Sequence, residues 1–266
     1  MKSPLESIAA SQPIQVLIAL VIYSFYALVL GLSASPAIGL LLAAWRAIAP
    51  LATAPEVWKT LLLGVSSGAA YFLFLITSTL VMGSLIRVLS LGIGPGRYPK
   101  VSLTMLRWLL YSGIYTLAYR LVLPIIPVSW FSNLFFMLAG CRMGKNVYLN
   151  SYILNDAHLI ELGDDVTIGG GAEISCHLYE DDCLILDRVR IGSGTLIGAN
   201  AYVSPGADIG KNCLVGLGAY VRRGATLADG SRRTCLGAIS LGRAASLERA
   251  PLSGRSGRDG EGLSRK

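Results

Sequence analysis

Hydrophobic positions change their rhythm half-way along the chain. Through residue 140 they run in long blocks with little charge, and from residue 141 they recur at six-residue intervals. The first block, Ile14–Leu32, has nineteen residues and no charge, a length and composition suited to a helix crossing a bilayer core. Residues 36–45 are also apolar but end at Trp45-Arg46. They are open to three readings: an interfacial helix, a hairpin partner, or part of a kinked first element. Leu61–Ile86 forms a second strong block between Lys59 and Arg87. Trp108–Ile126 is a third, interrupted by Arg120, which can snorkel near a helix end, pair within a bundle, or meet an anionic donor. Trp130–Leu138, with four aromatic residues, predicts a short interfacial or docking helix. This pattern predicts three membrane elements, or four if residues 36–49 also cross.

The second half carries a ruler. Ile191, Ile197, Val203, Ile209, Val215, Val221 and Leu227 stand six apart, and four residues after each lies Thr195, Ala201, Ala207, Cys213, Ala219, Ala225 or Ser231. Neither a helical period nor strand alternation yields this pairing of large and small sites, whereas a parallel β-helix does. The same spacing links Leu162, Ile168 and Ile174, and links Met143 to Leu149. Register slips by one over 153–161 and is lost over 175–190. Glycines after the aliphatic position, at 144, 163, 169, 192, 198, 210 and 216, predict tight corners or unusual backbone angles there. The expected organisation is therefore helical membrane elements over 1–140, a left-handed parallel β-helix over 141–241 with an excursion at 175–190, and a mobile Gly/Ser/Arg-rich tail over 242–266.

Charge follows the same division. Residues 1–140 hold eight of the 23 Lys and Arg but two of the 16 Asp and Glu, so the formal +7 belongs mostly to the apolar half. That balance suits anionic headgroups at a lipid bilayer better than nucleic acid, and no nucleic-acid-reading module is present. Arg87, Arg97 and Lys100 form a basic loop. Under the positive-inside rule that loop is cytoplasmic, while the charge counts leave the parity of the spans open. A cytosolic donor and reduced cysteines suit a β-helix facing the cytoplasm, so the expectation is a multi-pass protein of the cytoplasmic membrane with that orientation. The five cysteines, at 141, 176, 183, 213 and 235, have no ligand or disulfide spacing and read as reduced structural thiols.

The register break reads Ile174-Ser175-Cys176-His177-Leu178-Tyr179-Glu180-Asp181-Asp182-Cys183. Together with the repeat over 141–235, this stretch resembles the membrane-associated branch of the hexapeptide-repeat acyltransferases, including terminal modules of some nonribosomal peptide synthetases. Arg97-Tyr98-Pro99 and Leu106-Arg107-Trp108 resemble that branch more weakly. The resemblance implies a homotrimer with sites between subunits. It also implies an acyl-thioester co-substrate, carried by coenzyme A or a carrier protein, and no tightly bound cofactor. Cys235–Ser240 lacks the proline of the Gly-x-Pro-Ala-like element that many members carry near this point.

Acyl transfer needs a base for the acceptor's proton, and histidine titrates in the right range. His177 on the excursion is the expected general base, with a structural histidine as the alternative; Glu180 is a candidate to orient it, against a solvated loop carboxylate. Asn155, Asp156 and His158, at the earlier slip, are candidates for binding an amphiphilic amine or alcohol acceptor. Asn155 and Asp156 are open to the alternative of capping turns, and His158 to a bond within the coil. Arg222, Arg223, Arg232 and Arg233 are candidates for the donor's phosphates, with a solvated basic end as the alternative. Two histidines cannot supply the three-histidine metal site of the β-helix carbonic anhydrases, so no metal is expected. The competing function class is a non-catalytic β-helix that organises partners.

Overall fold

The computed structural model describes residues 12–50 and 55–234. All belong to one compact unit, Met1–Cys235. The unusual element Cys235–Ser240 and the expected tail lie outside the described residues.

Helix α1, Gln12–Ile48, runs through both apolar segments, so of the three readings of residues 36–45 the one that makes them part of the first element holds. Pro36 lies inside it and cannot donate to the carbonyl one turn earlier. The Ser35 hydroxyl donates to that carbonyl, Leu32 O, at 3.0 Å, which helps the helix to continue. Helix α2, Glu56–Ser90, packs along α1, and the Thr77 hydroxyl donates across to Ser33 O at 2.5 Å. Strand β1, Gly96–Pro99, follows, then helix α3, Leu103–Leu121, whose Ser102 cap accepts from Met105 N at 3.1 Å. Arg107 ties α3 to the end of α2 by donating to the carbonyls of Leu89 and Leu91. Helix α4, Trp130–Leu138, appears where the aromatic cluster predicted it.

Length and composition qualify two helices among the described residues to cross a membrane, α1 and α2. The third expected crossing, Trp108–Ile126, fails. Helix α3 ends at Leu121 and buries Tyr111, Ile114 and Ala118 inside the protein. The multi-pass architecture of three or four crossings with a cytoplasm-facing β-helix is therefore corrected.

From Arg142 to Arg233 the chain winds as a parallel solenoid with three sheet faces. Ile191, Ile209 and Leu227 pair in register, as do Ile197 with Val215 and Val203 with Val221, so three hexapeptides make one turn. The aliphatic series points inward and is buried from Leu162 to Val221. The final members, Leu227 and Ala225, are half-buried because coverage thins at the last coil. At the other end α4 supplies the cap. Phe135 and Phe136 are fully buried, and Asn133 Nδ2 donates to Val147 O at 2.9 Å.

The glycines that follow the aliphatic positions act differently from expectation. They do not take the left-handed angle; they let adjacent coils touch. A Cβ on Gly192 would lie 2.6 Å from the Gly210 carbonyl carbon. The left-handed corner comes two residues later, where Gly194, Asn212 and Gly230 succeed one another with φ of 70, 53 and 73°.

The excursion forms a hairpin of strands β2, His177–Glu180, and β3, Cys183–Leu186. Strand β1 pairs antiparallel with β3, so the segment between α2 and α3 holds the hairpin. Arg97 adds an exposed ion pair to Asp181 at 2.9 Å.

Replacing Ile209, 1% exposed, with aspartate should cost more than about 3 kcal/mol, because an unpaired charge enters a narrow apolar core. The same change at half-buried Leu227 should cost far less. Thermal unfolding of the two variants checks the inward register.

Candidate active site

The two register breaks of the solenoid meet in space. At the first, Asp156 takes a left-handed conformation, φ 59° and ψ 52°, and caps a short 3-10 turn, Ala157–Leu159. Aspartate tolerates that angle better than most residues. Strand Ile153–Asn155 lies immediately before it and pairs with Glu173–Ser175, just ahead of the hairpin. His177, the hairpin's first residue, consequently falls beside Asp156.

His177 Nδ1 is 2.5 Å from Asp156 Oδ2, and the Asp156 side chain is 1% exposed. Its other oxygen, Oδ1, accepts from Trp108 Nε1 at 3.0 Å and Tyr111 OH at 2.9 Å. An ionised carboxylate can only accept, so Nδ1 carries the proton and neutral His177 keeps its lone pair on Nε2. Nε2 has no hydrogen-bond partner among the described residues. The Trp108 ring meets the imidazole edge-on at 5.1 Å and 71°.

Burial alone would push Asp156 upward, but the bond and charge of His177 and the Tyr111 hydroxyl outweigh it and hold Asp156 below its ordinary value. Burial likewise lowers His177, and the Asp156 hydrogen bond and charge override it to leave His177 above 6.5. Tyr111 is driven upward first by burial and then by Asp156, so it stays a neutral donor.

The His177 ring lines a cavity of about 390 Å³ between α3 and the first coils, within the usual range of roughly 300–1,000 Å³ for small-molecule sites. Trp108, Tyr111, Ser112, Tyr115, Thr116, Tyr119 and Arg120 form the α3 wall, and Ile153, Asn155, Asp156 and Ala157 line the coil side. Tyr115 bolts the two walls together: its hydroxyl donates to Tyr152 O at 2.6 Å and accepts from Leu154 N at 3.0 Å.

Several expected residues fall elsewhere. Glu180 does not reach His177. It sits toward the hairpin tip, where its Oε2 meets Arg223 Nη1 at 3.2 Å. A strand separates those two residues along the hairpin, while chain winding brings Asp156 to the ring instead. Arg223 is thus occupied by Glu180. Arg232 and Arg233 lie on a different sheet face from Asn155, whereas Arg222 follows Val221 on the same face. His158 packs edge-on against Tyr111 at 5.5 Å and does not line the cavity; burial holds it below 6.5. Asn155 does line it, donating Nδ2 to Glu173 at 3.2 Å. Trp108, Tyr111 and Tyr115 were missed because their segment read as a membrane span. Their spacing of three and four residues was the available signal.

Residues 188–223 and 206–232 match the family described as the hexapeptide repeat of succinyl-transferase. The coil is a parallel solenoid of hexapeptide repeats. Over 115 residues the chain is 29% identical to the delta-poly-L-ornithine synthetase of Acinetobacter baumannii (strain AB307-0294), a match covering 43% of this chain and 8% of that protein. The crystal structure of Entamoeba histolytica serine acetyltransferase isoform 3 in complex with cysteine is 12% identical with a TM-score of 0.24, covering 79% of this chain and 75% of that one. Serine acetyltransferase 1 from the same organism, in complex with L-cysteine, is 11% identical with a TM-score of 0.14, covering 72% and 73%. Neither superposition bears on the site.

Asp156→Ala should destabilise the protein by about 3–5 kcal/mol, because it strands the buried partners of a charge. Glu180→Gln, in a half-exposed pair, should change stability little. The Asp156 contribution is present above its ordinary 3.8 and is lost as pH falls through its lowered value. The His177 contribution is present below 6.5 and is lost as pH rises through its raised value. Denaturation across pH should therefore find the Asp156→Ala deficit widest between those two ordinary values.

Proposed function

We propose that this protein transfers an acyl or aminoacyl group from a thioester to an amine or hydroxyl acceptor, with His177 as the general base and Asp156 orienting it. The observation that carries this reading is the 2.5 Å contact between His177 Nδ1 and buried Asp156 Oδ2, which fixes the ring with its basic Nε2 uncommitted beside a cavity. A base held this way can act directly on a bound acceptor without a covalent acyl-enzyme.

The acceptor enters the cavity beside α3. Its N–H or O–H proton passes to Nε2 as its nitrogen or oxygen attacks the thioester carbonyl. The new C–N or C–O bond forms, the C–S bond breaks, and the leaving thiolate takes the proton back from the imidazolium. Asp156 stabilises that transient cation and prevents ring rotation. Similarity to a delta-poly-L-ornithine synthetase favours an amine over a hydroxyl.

The donor lies along the sheet face that starts at Asn155. Asn155 pairs with Ser175, and the same register continues through Ser204 to Arg222. Tyr202 and Tyr220 stack beside that row at 5.7 Å and 24°. Coils about 4.8 Å apart put Arg222 roughly 14 Å from Asn155, a separation suited to a phosphate at the far end of a pantetheine arm. Of the four arginines expected at the donor, Arg222 is the one this reading retains. The carrier of that arm is coenzyme A or a carrier protein. The resemblance to hexapeptide-repeat enzymes favours a homotrimer, although the acceptor cavity has both of its walls within one chain.

The test starts from a product screen with acyl and aminoacyl thioesters against amine and alcohol acceptors, read by mass. His177→Ala and His177→Gln should keep substrate binding and lose roughly 10²–10⁴-fold in single-turnover transfer. Because the base must be neutral and His177 is raised above 6.5, the acidic limb of the parent rate profile should lie above that value. Asp156→Asn should slow transfer and move the limb to lower pH. Full transfer by folded His177→Ala would reject the mechanism. Mass measurement with bound detergent subtracted should find three chains, and an active monomer would reject the trimer.

A further inference from the structure

The four aromatic residues of α3 lie on one stripe, with Ser112 and Thr116 beside them. Trp108, Tyr111, Ser112, Tyr115, Thr116 and Tyr119 recur at the three- and four-residue spacing of a single helix face, and all line the cavity. The stripe begins over His177, where the Trp108 ring meets the imidazole. It ends at Arg120, which also lines the cavity. A rise of 1.5 Å per residue separates the backbones of Trp108 and Arg120 by about 18 Å. The site is therefore elongated, with a base at one end and a permanent cation at the other.

Arg120 is held but not neutralised. Its guanidinium carbon lies 5.7 Å from the Tyr119 ring centroid, and that ring meets Tyr152 edge-on at 5.3 Å. No carboxylate pairs with it among the described residues, and of the arginines without such a partner it is the one that lines the cavity. Tyr115 fixes this part of the helix to the coil through Tyr152 and Leu154. A guanidinium on an anchored aromatic platform, facing a cavity, is prepared for an anionic group.

We infer that the acceptor is a bifunctional chain whose amine or hydroxyl reaches His177 while an anionic head group at its far end binds Arg120. The aromatic wall between the two ends suits an aliphatic or aromatic body with few polar groups. This inference rests on the cavity's being the acceptor site of the proposed transfer. It adds a recognition residue, and it separates acceptors by length as well as by charge. A carboxylate and a phosphate offer Arg120 the same chemistry.

The test is a binding measurement that does not depend on turnover. The probes are 12-aminododecanoate, its neutral isostere 12-aminododecanamide, 12-aminododecyl phosphate, and 6-aminohexanoate, which is too short to bridge both ends. The full-length parent should bind the long carboxylate roughly tenfold or more tightly than the carboxamide, the order expected of a charge-assisted hydrogen bond. The phosphate should bind at least as well as the carboxylate, and the short probe should gain nothing from its charge. Arg120→Met should abolish the preference for the anion, Arg120→Lys should retain part of it, and His177→Ala should leave it intact. Equal affinity for carboxylate and carboxamide in the parent would overturn the inference, as would a preference that survives Arg120→Met. If no thioester yields product while the Arg120-dependent preference is present, the transfer reaction fails and the anion site stands. If product forms without that preference, the reverse holds.

Discussion

Burying the Asp156 carboxylate deprives it of water, and the protein compensates with three donors drawn from separate stretches of chain. Trp108 and Tyr111 come from helix α3, and His177 comes from the hairpin that leaves the solenoid. The charge is tolerable only while all three stay in place. One electrostatic requirement thereby couples the helical region to the coil and sets the imidazole's direction. Strand β1 completes the arrangement by pairing with the hairpin's second strand, which keeps His177 at the base of a held element.

Much of the solenoid was legible in the sequence because its physics is periodic. A narrow core accepts an aliphatic side chain once per face and a small one near each corner, so the pattern survives without any knowledge of contacts. The corners were read less well. Gly192 sits where two coils touch, while the left-handed angle falls on Gly194, Asn212 and Gly230. Glycine as a residue type marks both needs, and the six-residue ruler does not separate them. The interruptions proved as informative as the repeats. Both slips in register were visible, and the structure brings Asp156 from one beside His177 from the other.

The partner of His177 was misread for a related reason. Glu180 is near in sequence, but a hairpin strand carries it away toward Arg223. Asp156 is 21 residues distant and arrives through the winding of a coil. The α3 face was misread because hydropathy averages around a helix. Averaging hid a tyrosine-rich stripe that faces inward, backed by buried Ile114 and Ala118. Arg120 looked like an interruption of an apolar segment, and in the structure it stands at the end of the cavity that starts at His177.

In the proposed mechanism Asp156 fixes the proton and the basicity of His177, and the chain has two histidines in all, so both rings can be followed by nitrogen NMR on histidine-labelled protein. One ring should titrate above 6.5, carry its neutral-state proton on Nδ1, and vanish from the spectrum in His177→Gln. The other, His158, should titrate below 6.5. Asp156→Asn should bring the His177 midpoint down and loosen its tautomer preference. A His177 ring that titrates at the ordinary histidine value in the parent, unchanged by Asp156→Asn, would contradict the account.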